Sequence, residues 1–159
     1  MAEQEQESVI RVREALAAAG VSGQVRRLDD SARTAKEAAN ALGIVPAQIA
    51  SSLIFMADGQ AVLVVASGGH RVDTTKVAAI LGVDEVGKAT ADDVRAATSF
   101  AIGGVAPIGH PAPLRTIVDT DLAQFDEVWA AGGHPHYVFP TSFDELVRIT
   151  GGTPADVGA

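Results

Sequence analysis

Residues 52–65 read SLIFMADGQAVLVV. Two apolar runs, 52–56 and 61–65, flank the pair Asp58-Gly59, and such a pair between apolar runs is a strong local sign of a two-residue hairpin. The runs are almost free of polar interruption. Both strands are therefore expected in the middle of a sheet, covered on both faces.

Upstream, Val9, Val12, Leu16 and Ala19 recur at helical spacing over Ser8–Ala19, and Gly20 stands where a C-cap glycine belongs. A short strand is expected over Gln24–Leu28. Asp29, Asp30 and Ser31 offer N-caps for an alanine-rich second helix, Thr34–Leu42, ended by Gly43. Pro46 opens a helical turn, PAQIA, that leads into the hairpin. Downstream, Ser67-Gly68-Gly69 turns the chain, and Asp73 or Thr74 caps a helix over Thr75–Leu81 that ends at Gly82. Val83–Val86 is expected as a short strand, and Thr90–Asp93 as the start of a further helix with acidic residues in its first turn. Arg115–Val118, Val128–Ala131 and His136–Phe139 read as strands, with a helical turn over Leu122–Phe125. Ser142 begins a last helix whose acidic start and basic end suit the helix dipole. The acidic N-terminus and the tail Gly151–Ala159 are expected to be loose. This interleaving lacks a strict βαβ rhythm, which predicts an α/β (α+β) fold: a mixed sheet, partly curled toward a barrel, surrounded by helices.

The 159 residues, 47% of them hydrophobic, suffice for one domain with its own core. The chain has no cysteine, so disulfides, thiolate metal sites and cysteine nucleophiles are excluded. No basic and apolar leader and no run of membrane-spanning length is present, so a cytoplasmic protein without a membrane partner is expected. A net charge of −8 argues against indiscriminate binding to nucleic acid, although Arg26, Arg27 and Arg33 lie close together.

A second stretch, FAIGGVAPIGHPAP over Phe100–Pro113, packs three glycines, three prolines and a histidine where neither helix nor strand can continue. Gly103 and Gly104 admit backbone conformations closed to other residues, while Pro107, Pro111 and Pro113 fix φ and donate no hydrogen bond. The composition suits a rigid loop whose free backbone dipoles form a pocket wall, or a plain connection between core elements. His110 within it is expected to lock the loop by a hydrogen bond.

No GxGxxG, Walker lysine motif, HExxH or Gly-x-Ser-x-Gly occurs, so nucleotide, zincin and serine-hydrolase elbow chemistries lack their motifs. His134 and His136 stand at i, i+2 and would share a strand face, but two imidazoles without a third ligand make no metal site. Met56, Phe100 and Ile108 are assigned to the core. Ser51 and Ser52 begin a central strand, where side chains can enter a site.

Together, LGI-x-P-x-QI before Ser51-Ser52-Leu53-Ile54-Phe55, then ADG, HRVDTTKVAAILG, GGVAPIGHP and a DELVRIT helix resemble the YbaK/EbsC family, also called the prolyl-tRNA synthetase associated domain. The resemblance covers nearly the whole chain. It implies a free-standing domain that hydrolyses amino acids wrongly attached to tRNA, with water as nucleophile and no cofactor or metal. It further implies that the loop Gly103–Pro107, with Gly104, lines the pocket and positions the ester beside Ser51. His70, Arg71, Lys76, His110, Gly133 and His134 are the residues expected to bind substrate. The expected partners are the aminoacylated 3′ end of tRNA and an aminoacyl-tRNA synthetase. The chain departs from the family at Ser51, where many active members carry lysine. Two readings stand: a trans-acting deacylase, and a binding module of the same fold that has lost hydrolysis with that lysine.

Overall fold

The computed structural model describes residues 2–28 and 34–159. In chain order the elements are α1 (Ala2–Ala18), β1 (Arg26–Arg27), α2 (Ala35–Leu42), β2 (Ile49–Ala57), β3 (Gln60–Ser67), α3 (Thr74–Leu81), β4 (Val86–Lys88), α4 (Ala91–Thr98), β5 (Arg115–Asp119), β6 (Val128–Ala131), β7 (Tyr137–Thr141), α5 (Phe143–Thr150) and β8 (Thr153–Ala155). Short 3-10 turns cover Pro46–Gln48 and Thr120–Gln124.

The hairpin forms as expected. Ala57 pairs with Gln60, and Asp58 (φ 51°) and Gly59 (φ 76°) both take positive φ, the geometry a two-residue turn needs to match strand twist. Around it the strands order as β1-β7-β6-β2-β3-β5-β8, with β4 paired to β2 off this path. The pairs β2/β6, β3/β5 and β5/β8 are parallel and the rest antiparallel, so the sheet is mixed. Its order runs from β1 to β8 without joining them, and the barrel stays open.

Alternation along β3 sends Leu63 and Val65 to a core shared with Val9, Val12 and Leu16 of α1, Val94 of α4 and Leu146 of α5. Val62, Val64 and Ala66 face Val77, Ala78 and Leu81 of α3. A third cluster sets Ala38 and Ala39 of α2 on Ile49 and Val138. Phe100 and Ile108 belong to the first core, as assigned, whereas Met56 is half-buried and joins none of the three clusters.

Several expectations change. The helix at the N-terminus begins at Ala2 rather than Ser8. Asp29, Asp30, Ser31 and Arg33 lie outside the described residues, and Thr34 caps α2 in a reciprocal capping box with Glu37. The strand expected over Val83–Val86 is displaced to Val86–Lys88, because the edge offered by Phe55–Ala57 pairs with those residues. Gly87 within it shows pairing outweighing propensity. β7 starts at Tyr137, since His136 turns the chain at φ 77°. The tail is not loose: β8 pairs with β5, Val157 is fully buried, and Ala159 N–H donates to the Arg71 carbonyl.

Candidate active site

β2 has two neighbours on one edge. Its N-terminal end pairs with β6 at Ile49 and Ala50, and its C-terminal end with β4 from Phe55 to Ala57. Between them, Ser51–Ile54 has no strand partner on that side among the described residues. The two strands part like a fork, and a cavity of about 440 Å³ opens in the gap. Its floor is Ile49–Phe55. The remaining wall comes from Thr34, Ala35 and Ala38 of the α2 region, Lys88 and Ala89, Val94, Ile102, Gly103 and Val105, Trp129–Ala131, and His136–Val138.

The lining is mostly apolar, with a few polar groups directed into it, the pattern of a small-molecule site. The Ser52 hydroxyl is buried and has no hydrogen-bond partner among the described residues. A buried hydroxyl left so costs about 1–3 kcal/mol, and a bound ligand would remove that cost. Leu53 and Ile102 are exposed apolar residues of the lining.

The loop that forms one wall is held from behind. Phe100, Val105, Ala106 and Ile108 are buried in the core. From α1, Arg11 donates through Nε to the Gly109 carbonyl (3.0 Å) and through Nη2 to the Ser99 carbonyl (3.1 Å), and its guanidinium lies over the Phe100 ring. His110 Nε2–H donates to the Ala106 carbonyl at 2.8 Å, the locking bond expected of it. Burial holds the His110 pKa below its usual value, and the charge of Arg11 adds to this against the opposing Ala106 bond. His110 is thereby kept neutral.

Of the residues singled out from sequence, Ser51 and Gly103 line the cavity together. Gly104, Pro107, His110, Gly133 and His134 stand behind the wall. A Cβ on Gly104 would sit 2.8 Å from His134 Cα and 2.9 Å from Pro135 Cδ, so the loop lies directly against the turn before β7. One on Gly133 would meet the Ser8 carbonyl oxygen and Val12 of α1, both at 2.7 Å. His134 Nδ1–H donates to the Pro135 carbonyl.

His70, Arg71 and Lys76 do not line the cavity. His70 follows β3 and directs Nε2 at Asp119 Oδ2 (2.8 Å) and Asp121 Oδ2 (3.0 Å), while Nδ1–H donates to the Arg71 carbonyl. Among the described residues this trio, rather than His134 with His136, is the grouping with metal-ligand spacing. A proton on Nε2 serves both carboxylates. Burial alone would lower the His70 pKa, but the Arg71 carbonyl, Asp119 and Asp121 outweigh it and raise the value. Asp119 is fully buried and also accepts from Ser67 N–H and Asp121 N–H. Lys76 Nζ is held by Asp156 and the Gly158 carbonyl. The HRVDTTK segment thus clasps the C-terminal tail.

Sequence reasoning singled out no part for Arg11 or Lys88, and placed Ser51 rather than Ser52 beside the ester. An arginine beside the apolar stripe of α1 was a signal for the first. No sequence signal marked Lys88, whose place follows from strand pairing.

The model of the aminoacyl-tRNA editing domain matches residues 29–149, and the chain belongs to this family. A solved structure of a candidate trans-editing enzyme for prolyl-tRNA synthetase superimposes with a TM-score of 0.91 at 42% identity, covering 96% of this chain and 97% of that one. The uncharacterised protein YwhH of Bacillus subtilis is 31% identical over 127 residues, 79% of this chain and 80% of its own length. Proline–tRNA ligase of Nitratidesulfovibrio vulgaris (strain DP4) is 30% identical over 103 residues, 65% of this chain. The match spans 18% of that ligase.

Proposed function

We propose that the protein is a trans-acting aminoacyl-tRNA deacylase that removes a wrongly attached amino acid, with water as nucleophile. The observation that carries this reading is the open edge of β2, where unpaired main chain and the unpartnered Ser52 hydroxyl meet Gly103 in one cavity. In the reaction, water oxygen adds to the ester carbonyl, the bond to the ribose oxygen breaks, and that oxygen takes up a proton. Free amino acid and tRNA leave. Fixed main-chain donors at the developing oxyanion need no reorganisation, and one such donor is worth about 3 kcal/mol of barrier. Ser51 and Ser52 orient the ester and the water, and His136, the imidazole in the lining, relays the proton. Gly104, Pro107, His110, Gly133 and His134 serve by holding the wall. The partner is the 3′ end of an aminoacylated tRNA, delivered through work shared with its synthetase.

Multiple-turnover deacylation on a panel of mischarged tRNAs tests this. Release of amino acid over several enzyme equivalents is expected. Binding of the same tRNAs without turnover would replace it by the second reading, a binding module, which serine in place of lysine at position 51 favours.

A further inference from the structure

Lys88 ends β4, opposite Phe55 and at the far end of the open stretch of β2. Among the described residues it is the one side chain lining the cavity with a permanent charge, and none of the described carboxylates lines it. Among the described residues its ammonium has no hydrogen bond or ion pair, in contrast to Lys76. The acidic residues near it in sequence, Asp84, Glu85, Asp92 and Asp93, lie outside the lining, and Asp93 is occupied in the capping box of α4.

We propose that Lys88 binds the phosphodiester beside the terminal nucleoside of the tRNA, with the ester lying inward at Ser51 and Ser52. This assignment rests on the deacylase reading. Phe55 and Ser51 are four residues apart on one strand, about 13 Å of extended chain. A nucleoside together with the four-carbon stem of lysine spans such a length. The whole chain, at −8, repels a polyanion, so the unpaired cation that the described lining offers sets both where the strand end docks and which way it points.

The test is direct binding of a hairpin RNA with a single-stranded CCA end that carries its amino acid through an amide, which cannot be hydrolysed as an ester. Affinity is measured against salt for the parent, Lys88→Met, Lys88→Arg and Lys76→Met. Lys88→Met is expected to bind about fivefold to tenfold more weakly at low salt, and its slope of log K on log salt should shrink by about 0.7, the value for one contact to a single strand. Lys88→Arg and Lys76→Met should keep the parental slope. A parental slope in Lys88→Met, a slope lost in Lys76→Met instead, or a parent whose binding ignores salt would overturn the assignment. Turnover is scored separately: a parent that binds but does not hydrolyse removes the deacylase reading, while the slopes still decide the role of Lys88.

Discussion

The guanidinium of Arg11 lies 4.2 Å from the centre of the Phe100 ring, joining the first helix to the residue at which the Gly- and Pro-rich loop begins. With its bonds to the Ser99 and Gly109 carbonyls, it grips the loop at both ends of the segment that carries Gly103. Arg11→Ala should lower stability by about 2 kcal/mol, from a lost stacking contact and two charged hydrogen bonds. Deacylation should fall further than stability at temperatures where the variant is fully folded. Urea unfolding beside initial rates checks both. Parental rates in a destabilised variant would show that the wall keeps its shape without the grip.

Ser52→Ala should separate stability from activity. Removing a buried hydroxyl that has no partner among the described residues is expected to raise stability by about 1 kcal/mol. The same change should lower kcat/KM by about tenfold, since the group is satisfied only with substrate present. A thermal midpoint below that of the parent would show that the hydroxyl has a structural partner and count against its role in the site.

Gly104→Ala is expected to cost about 2 kcal/mol, because the new methyl meets the His134–Pro135 backbone, which cannot yield as a flexible side chain would. If Gly104 instead lined the pocket, as the family resemblance implies, the methyl would intrude on the ester and leave the fold intact. The cavity wall at this point is Gly103, and Gly104 faces the neighbouring turn. Denaturation midpoints decide between the two, since an undiminished midpoint with lost turnover would restore the pocket-lining account.

Stability should depend on pH through two histidines of opposite sign. His70 is raised above 6.5 in the folded protein, so its contribution is full below 6.5 and is lost as pH rises through the folded value. The acidic groups it serves are Asp119 and Asp121, with Asp156 of the tail also sensing its charge. His110 is lowered, so its contribution is present above 6.5 and is lost as pH falls through its folded value. Thermal midpoints from pH 5 to 9 should show the parent losing its advantage over His70→Gln on the alkaline side. An advantage that grows with pH would contradict a protonated His70.

Local chemistry was legible wherever it is local. Asp58-Gly59 specified its own turn, and the glycines after α1, α2 and α3 each take positive φ, as their positions in the sequence suggested. The place of Ser51 and Gly103 beside a cavity was legible because one stands on the central strand and the other in a segment unable to be regular. What escaped depends on distant pairing. Lys88 reaches the cavity only because Val86–Lys88 pairs with the end of β2, and nothing in VGK announces a strand. His70 and Lys76 stand near Ser51 in sequence, yet they turn to Asp119, Asp121 and the tail, contacts 49 or more positions away, such as Lys76 with Asp156 at 80. The tail looked loose because three residues of strand, including Pro154, are too few to show a period.

The fork between β4 and β6 also bears on how such a protein changes over time. A grip made of peptide groups is the same whichever side chains stand on Ser51–Ile54, so substitutions there other than proline leave it in place. The parts exposed to mutation are those that choose among guests: volume at Ile54 and Val105, polarity at Ser52, charge at Lys88. A change at those positions can therefore alter which guest the cavity admits while the main chain that would hold it stays the same.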